Sequence, residues 1–320
     1  VQLAPGGGLT LTGALAVDGG TVKLDGNFPV GTDNVALGNN ALDVVEAGGT
    51  NNIAIGDDSL KALTTGDNNT AVGYRSLKTA VTSLSNTAIG SLALCTNTGG
   101  NNTAIGANAM ECNTSGGDNT AVGKQANFKN TTGADNSSLG TLALKCNTTG
   151  SYNVAVGRDS LAANTTGTNN VAVGKDALKT NVSGQQNVAI GVCALNANTG
   201  YNNVAVGYQA LDANIGGDSN VAVGLHSLLL NTTGNYNVAV GRKALCSNTT
   251  GLTNVAIGLT ALNDNTEGTN NIAIGCGTML DHSTGDNNVA VGVATLSNNT
   301  TASNNTSVGS YSMIKNTTGT

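Results

Sequence analysis

The sequence has no tryptophan, two phenylalanines, two prolines and two histidines in 320 residues, and only 10% of it is charged. Each scarcity removes a class. Long disordered tracts rely on proline and charge to stay solvated, so this composition does not describe one. Collagen demands glycine at every third position with abundant proline, and neither holds. No apolar run approaches the roughly 18 residues of a membrane-spanning helix, so membrane insertion is not expected. The 13 lysines and arginines are scattered among 19 acids, giving a net charge of −6 and no basic face for nucleic acid. So few histidines leave little material for an active site, and neither enzymatic activity nor a cofactor is expected. What abounds is glycine, 45 residues, and asparagine, 47.

Those two residue types recur in register. Aligned on one asparagine, the chain falls into 17 units that begin at Asn34 and run to residue 320, spaced by 17 residues with one 18 and two 16s. Self-similarity at a fixed period is the mark of a stacked-repeat architecture. A typical unit, residues 170–186, reads NVAVGKDALKTNVSGQQ. Numbered from that asparagine, site 1 is always Asn and site 5 always Gly, from Gly38 to Gly309. Site 4 is Val, Ile or Leu, and site 3 is Ala except at Ser138 and Ser307. Leucine dominates site 9, with Asn127 as its polar exception, and glycine dominates site 15.

The alternation at sites 2–4 predicts a short strand, since the segment is too short for a helix. Glycine at sites 5 and 15 predicts corners that need positive φ or close backbone approach, with NTTG supplying turn chemistry between units. One unit is then one coil. Coils stacked in register give an all-β parallel β-solenoid of about 17 coils at roughly 4.8 Å each, a rod on the order of 80 Å long. Asn153, Asn170, Asn187, Asn203, Asn220 and Asn237 are expected to form an amide ladder that holds register, beside the corner glycines Gly157, Gly174, Gly191, Gly207, Gly224 and Gly241. A second asparagine column at site 12 runs from Asn97 through Asn113, Asn130, Asn147 and Asn164 to Asn316. Residues 1–33 alternate weakly outside the repeat, predicting a β-rich junction or cap ahead of a repeat domain over 34–320.

Each coil offers about three large aliphatic side chains, little to set against the entropy of ordering it, so further burial between chains is expected. The site 3 alanines, among them Ala155, Ala172, Ala189 and Ala205, are the candidate inter-chain contact, because small side chains let backbones approach. The composition of sites 6 and 7 varies most, which marks an exposed row. Tyr74, Arg75, Tyr208 and Arg242 are its candidate contacts with a host surface, with weak cross-coil ion pairs such as Arg158 with Asp176 beside them.

Of six cysteines, only Cys95 and Cys112 fall at neighbouring sites of adjacent coils, where a disulfide would reach. Asp281, His282 and Asp286 come nearest to a metal or acid–base group, but no further histidine or cysteine stands at ligand spacing, and a solvated turn explains them better. The N-x-Thr/Ser triplets at Asn113, Asn130, Asn147, Asn164, Asn231 and Asn248 match glycosylation acceptors, yet they belong to the site 12 column, which accounts for them already.

The unit NVAVGxxALxxNTTG resembles the head repeats of trimeric autotransporter adhesins, and more closely the repeats of phage and marine-virus tail-fibre proteins. The segment GGTVKLDGNFPVGTDNVALG, residues 19–38, is similar in style to cyanophage fibres. The resemblance covers about nine-tenths of the chain. It implies a left-handed β-roll assembled as an intertwined or side-by-side homotrimer. The 17-residue unit is longer than typical adhesin head coils, and neither a heptad stalk nor membrane-anchor strands follow, which favours the viral fibre. The expected function is therefore a structural virion fibre, a rigid spacer whose partners are its own copies, other virion or baseplate proteins and a host cell-surface glycan or protein. A bacterial surface adhesin head is the alternative. A third class, an ice-binding solenoid, is disfavoured because Thr165 and Thr166 fall in turns.

Overall fold

The computed structural model describes residues 33–45 and 48–317. Seventeen three-residue strands, numbered in chain order from β1 (Val35–Leu37) to β17 (Thr306–Val308), occupy sites 2–4 of successive units. Every strand pairs in parallel with the next at unit register: Val171, Ala172 and Val173 of β9 (Val171–Val173) face Val188, Ala189 and Ile190 of β10 (Val188–Ile190). The chain is thus an all-β parallel solenoid of about 16 turns, built on one 17-stranded sheet, with no helix among the described residues. The expected junction over residues 1–33 lies outside the described residues but for Asp33.

Coils cohere because their backbones bond up and down the stack. Val188 N–H donates to Asn203 O at 2.8 Å, Gly191 N–H to Val173 O at 2.8 Å, and Leu195 N–H to Ala210 O at 3.0 Å. Within the coil, Ala194 N–H donates to Gly191 O at 3.3 Å and Asn198 N–H to Leu195 O at 3.2 Å, so two β-turns follow the strand. These turns place non-glycine residues in the left-handed region at sites 7, 9 and 17, as at Cys193 (φ 57°), Leu195 (φ 50°) and Gln186 (φ 59°). Leucine seldom adopts that conformation. Here the ladder of bonds to both neighbouring coils and the burial of the side chain over-determine it.

The two glycine columns have different causes. Gly174 has φ +137°, and a Cβ there would lie 2.4 Å from Gly191 O of the next coil. Gly184, at site 15, needs no unusual φ; its Cβ would meet Asn181 Oδ1 at 2.3 Å and Gly200 O at 2.5 Å, so close approach alone selects glycine.

The interior is narrow. Alanine at site 3, small residues at site 8 and leucine at site 9 line it, and all are fully buried through the middle of the rod. This corrects the expected role of Ala155, Ala172, Ala189 and Ala205: each is 0% exposed inside its own coil and cannot touch another chain. The β-branched residues of sites 2 and 4 point outward instead, because a 17-residue coil is too tight to seat valine opposite leucine.

Candidate interaction surfaces

The invariant asparagines are core residues rather than surface ones. Asn153 shows the pattern: its backbone N–H donates to Asn136 Oδ1 at 3.0 Å, and its Nδ2 donates to the same oxygen at 3.1 Å and to Gly167 O at 2.9 Å. One side chain therefore joins its coil to the coil below and closes its own coil from site 1 to site 15. Asn170, Asn187, Asn203, Asn220 and Asn237 repeat the step from backbone N–H to preceding Oδ1 at 2.9–3.0 Å. The site 12 column adds a second ladder, in which Asn164 Nδ2 donates to Asn147 Oδ1 at 2.8 Å and to Gly167 O at 3.0 Å. Gly167 O thus accepts from both columns. With these amides 0% exposed and bonded, the N-x-Thr/Ser asparagines present no free group to a glycan. The first threonine of NTTG is engaged as well: Thr148 Oγ1 donates to Thr165 O at 3.0 Å and Thr165 Oγ1 to Val182 O at 3.1 Å.

Outside, the rod presents three unlike sides. The sheet side, sites 2 and 4, carries no charged residue on any of the 17 strands. Its aliphatic side chains remain open to solvent, Ile53, Ile55, Ile272 and Ile274 at 37% each. Sites 6–11 carry every lysine and arginine among the described residues, interspersed with acids. Sites 13–17 carry only acids among the described residues: Asp67, Asp118, Asp135, Asp218, Glu267 and Asp286.

Tyr74, Tyr208 and Arg242 lie exposed on the mixed-charge side, and Arg75 is half-buried there. They do not converge: Tyr74 and Tyr208 are eight coils apart, on the order of 40 Å. Each tyrosine packs locally, Tyr74 under the Arg75 guanidinium at 4.8 Å and Tyr208 tilted against the His226 ring at 5.6 Å. Three more tyrosines on the acidic side, Tyr152, Tyr201 and Tyr236, are exposed and were not singled out from the sequence.

Charge pairs form both within a turn and between adjacent coils. Arg158 bonds its neighbour Asp159 at 3.1 Å, while Asp176 is held by Lys179 at 2.9 Å and Lys175 at 3.5 Å, so the expected Arg158–Asp176 pair does not form. A denser cluster surrounds Asp58, which faces Lys61 at 3.0 Å, Lys78 at 3.2 Å, Arg75 at 3.5 Å and Asn40 Nδ2 at 3.2 Å. Hydrogen bonds from Lys61 and then Asn40 hold its carboxyl well below the usual carboxylate range. Asp212 is the opposite case: burial pushes its carboxyl up against the pull of Asn196 and Gln209.

Cys95 and Cys112 are both free thiols, and burial, followed by the charge of Glu111, raises each above its ordinary value. Asp281, His282 and Asp286 are dispersed. His282 is buried in the site 12 column, whereas Asp281 and Asp286 are exposed, and no three His, Cys, Asp or Glu residues among the described ones are placed to hold a metal ion.

No protein-family model matches the chain, and no curated protein matches it.

Proposed function

We propose that the chain is the shaft of a virion fibre, a left-handed solenoid that assembles side by side as a homotrimer and acts as a rigid spacer toward a host surface. The uncharged sheet side, aliphatic at site 4 on every strand and at site 2 on all but six, carries this reading. It runs the whole length of the rod, about 80 Å by roughly 10 Å, on the order of 800 Å² per chain, which is the size of a standard protein interface. Exposed apolar area of that extent marks an association surface. The charge distribution supports a ring: an acid-only side meeting a neighbour's lysine- and arginine-bearing side is a heterologous contact, the kind that closes cyclic oligomers.

Multi-angle light scattering on the full chain tests the assembly. A mass of three chains is expected, and charges placed on the sheet side, Ile190→Glu with Val240→Glu, are expected to yield monomers. A wild-type monomer in dilute solution would overturn the oligomer. Labelling of intact virions with an antibody to the repeat tests the location.

A further inference from the structure

We propose that the coils carrying Asn127 and Ser138 form a hydrated polar joint that divides the rod into two cooperatively folded blocks. In the leucine column, Asn127 stands where Met110 precedes and Leu144 follows; it is fully buried, and neither Oδ1 nor Nδ2 has a hydrogen-bond partner. One coil on, Ser138 replaces the buried alanine and is 1% exposed, its Oγ donating to Thr120 O at 3.2 Å. The buried apolar side chains accordingly form two clusters, one from Ala41 to Ala126 and one from Ala143 to Leu296, and the side chains buried between them are polar. The outer face changes at the same place. Site 2 is Thr or Ser from β3 (Thr70–Val72) to β7 (Ser137–Leu139), and Val or Ile from β8 (Val154–Val156) to β16 (Val289–Val291).

In a stacked-repeat protein, cooperativity passes from coil to coil through nearest-neighbour interfaces. Through both clusters the site 9 column is leucine or methionine, an unbroken apolar stack. At this interface that apolar coupling is absent, while the backbone ladder persists: Asn127 N–H donates to Ala143 O at 2.9 Å and Thr120 N–H to Asn136 O at 2.8 Å. The asparagine column also continues, Asn136 N–H donating to Asn119 Oδ1 at 3.0 Å. Register is kept and coupling is lost.

Two orphaned amide atoms in a buried site call for a partner. Asparagine is smaller than the leucine it replaces, leaving room for about one water, and Asn127 Oδ1 and Nδ2 are the two polar partners such a water needs. The joint is therefore the place where the rod opens first, with intact blocks on either side.

Hydrogen exchange read by mass spectrometry on the full-length chain in its native assembly tests this without any substitution. Amides of residues 120–140 are expected to exchange at least tenfold faster than those of the two coils on each side. Calorimetry is expected to show two transitions that Asn127→Leu with Ser138→Ala merges into one. Uniform protection from residue 100 to 170 with a single transition in the wild-type protein would overturn the two-block rod. A high-resolution crystal structure with a dry site at Asn127 would overturn the hydration. Should the double variant fail to fold, the wild-type exchange map decides alone, and it does so whatever the fibre's location proves to be.

Discussion

His282 Nε2 lies 2.8 Å from Gly285 O, the contact that Asn265 Nδ2 makes with Gly268 O at 3.1 Å one coil below. The histidine thus substitutes for one rung of the site 12 ladder, but incompletely. Its Nδ1 faces a second carbonyl, Asn299 O, at 2.8 Å, and a neutral imidazole has one N–H to share between the two. It donates nothing to Asn265 Oδ1, which is left without a partner, and it offers no acceptor to Asn299 Nδ2, which bonds Ala302 O at 3.2 Å instead. His282→Asn restores the amide that both neighbours meet elsewhere. The substitution is expected to stabilise the fold by about 1 kcal/mol, measured as a shift in the denaturant midpoint with an unchanged slope.

The site 1 ladder is expected to tolerate no such exchange. Asn170 Oδ1 accepts from Asn187 N–H at 3.0 Å, and Asn170 Nδ2 donates to Gly184 O at 2.9 Å. Asn170→Ala orphans the buried Asn187 N–H and removes one of the two donors to Gly184 O, which keeps Asn181 Nδ2 at 3.0 Å, and should cost about 1–3 kcal/mol. Asn170→Asp retains the acceptor yet loses the donor and buries a charge, so it is expected to be no better at neutral pH. Equilibrium unfolding of the pair checks both values.

Glycines separate into obligatory and replaceable ones. In Gly174→Ala the new Cβ sits at positive φ and 2.4 Å from Gly191 O, with a loss of about 3 kcal/mol or an unfolded chain as the outcome. Gly216 has nothing within 4 Å of its Cβ position and stands where most other units carry threonine. Gly216→Ala is expected to raise stability by about 0.4–1 kcal/mol through the unfolded chain. Parallel thermal melts compare them.

Two carboxylates give opposite pH signatures. The native Asp58 carboxyl titrates below its ordinary value of 3.8, so the folded chain binds fewer protons than the unfolded one. Its contribution is present above that value and is lost as pH falls through the native one. Asp58→Asn is expected to lower the melting temperature at neutral pH, because Lys61, Arg75 and Lys78 then face one another uncompensated, and to flatten the acid limb. Asp212 titrates above its ordinary value of 3.8, so its contribution is present below that value and is lost as pH rises through the native one. Asp212→Asn is expected to raise the melting temperature at neutral pH and leave it unchanged in acid. Melting curves from pH 3 to 8 decide both.

The repeat period, the strand at sites 2–4, the in-register stacking and the site 1 asparagine ladder were all legible in the amino-acid sequence, because identity recurring every coil is what a parallel stack requires. Asn153 and Gly157 occupy the ladder and corner their columns imply. Which way the strand faces was not legible. Valine and alanine alternate in either orientation, and the usual preference for burying the larger residue pointed the wrong way for Ala172. Tertiary closure decided it: within so small a loop, leucine from the turn already fills the space opposite the strand, and only alanine fits. Closure also set the left-handed conformation of Leu195, which no local propensity favours, and gathered Asp58 with Lys61, Arg75 and Lys78 from two adjacent coils. Periodicity is a one-dimensional property and survives in the sequence; the width of the interior is a property of the closed coil, and it alone selects inside from outside.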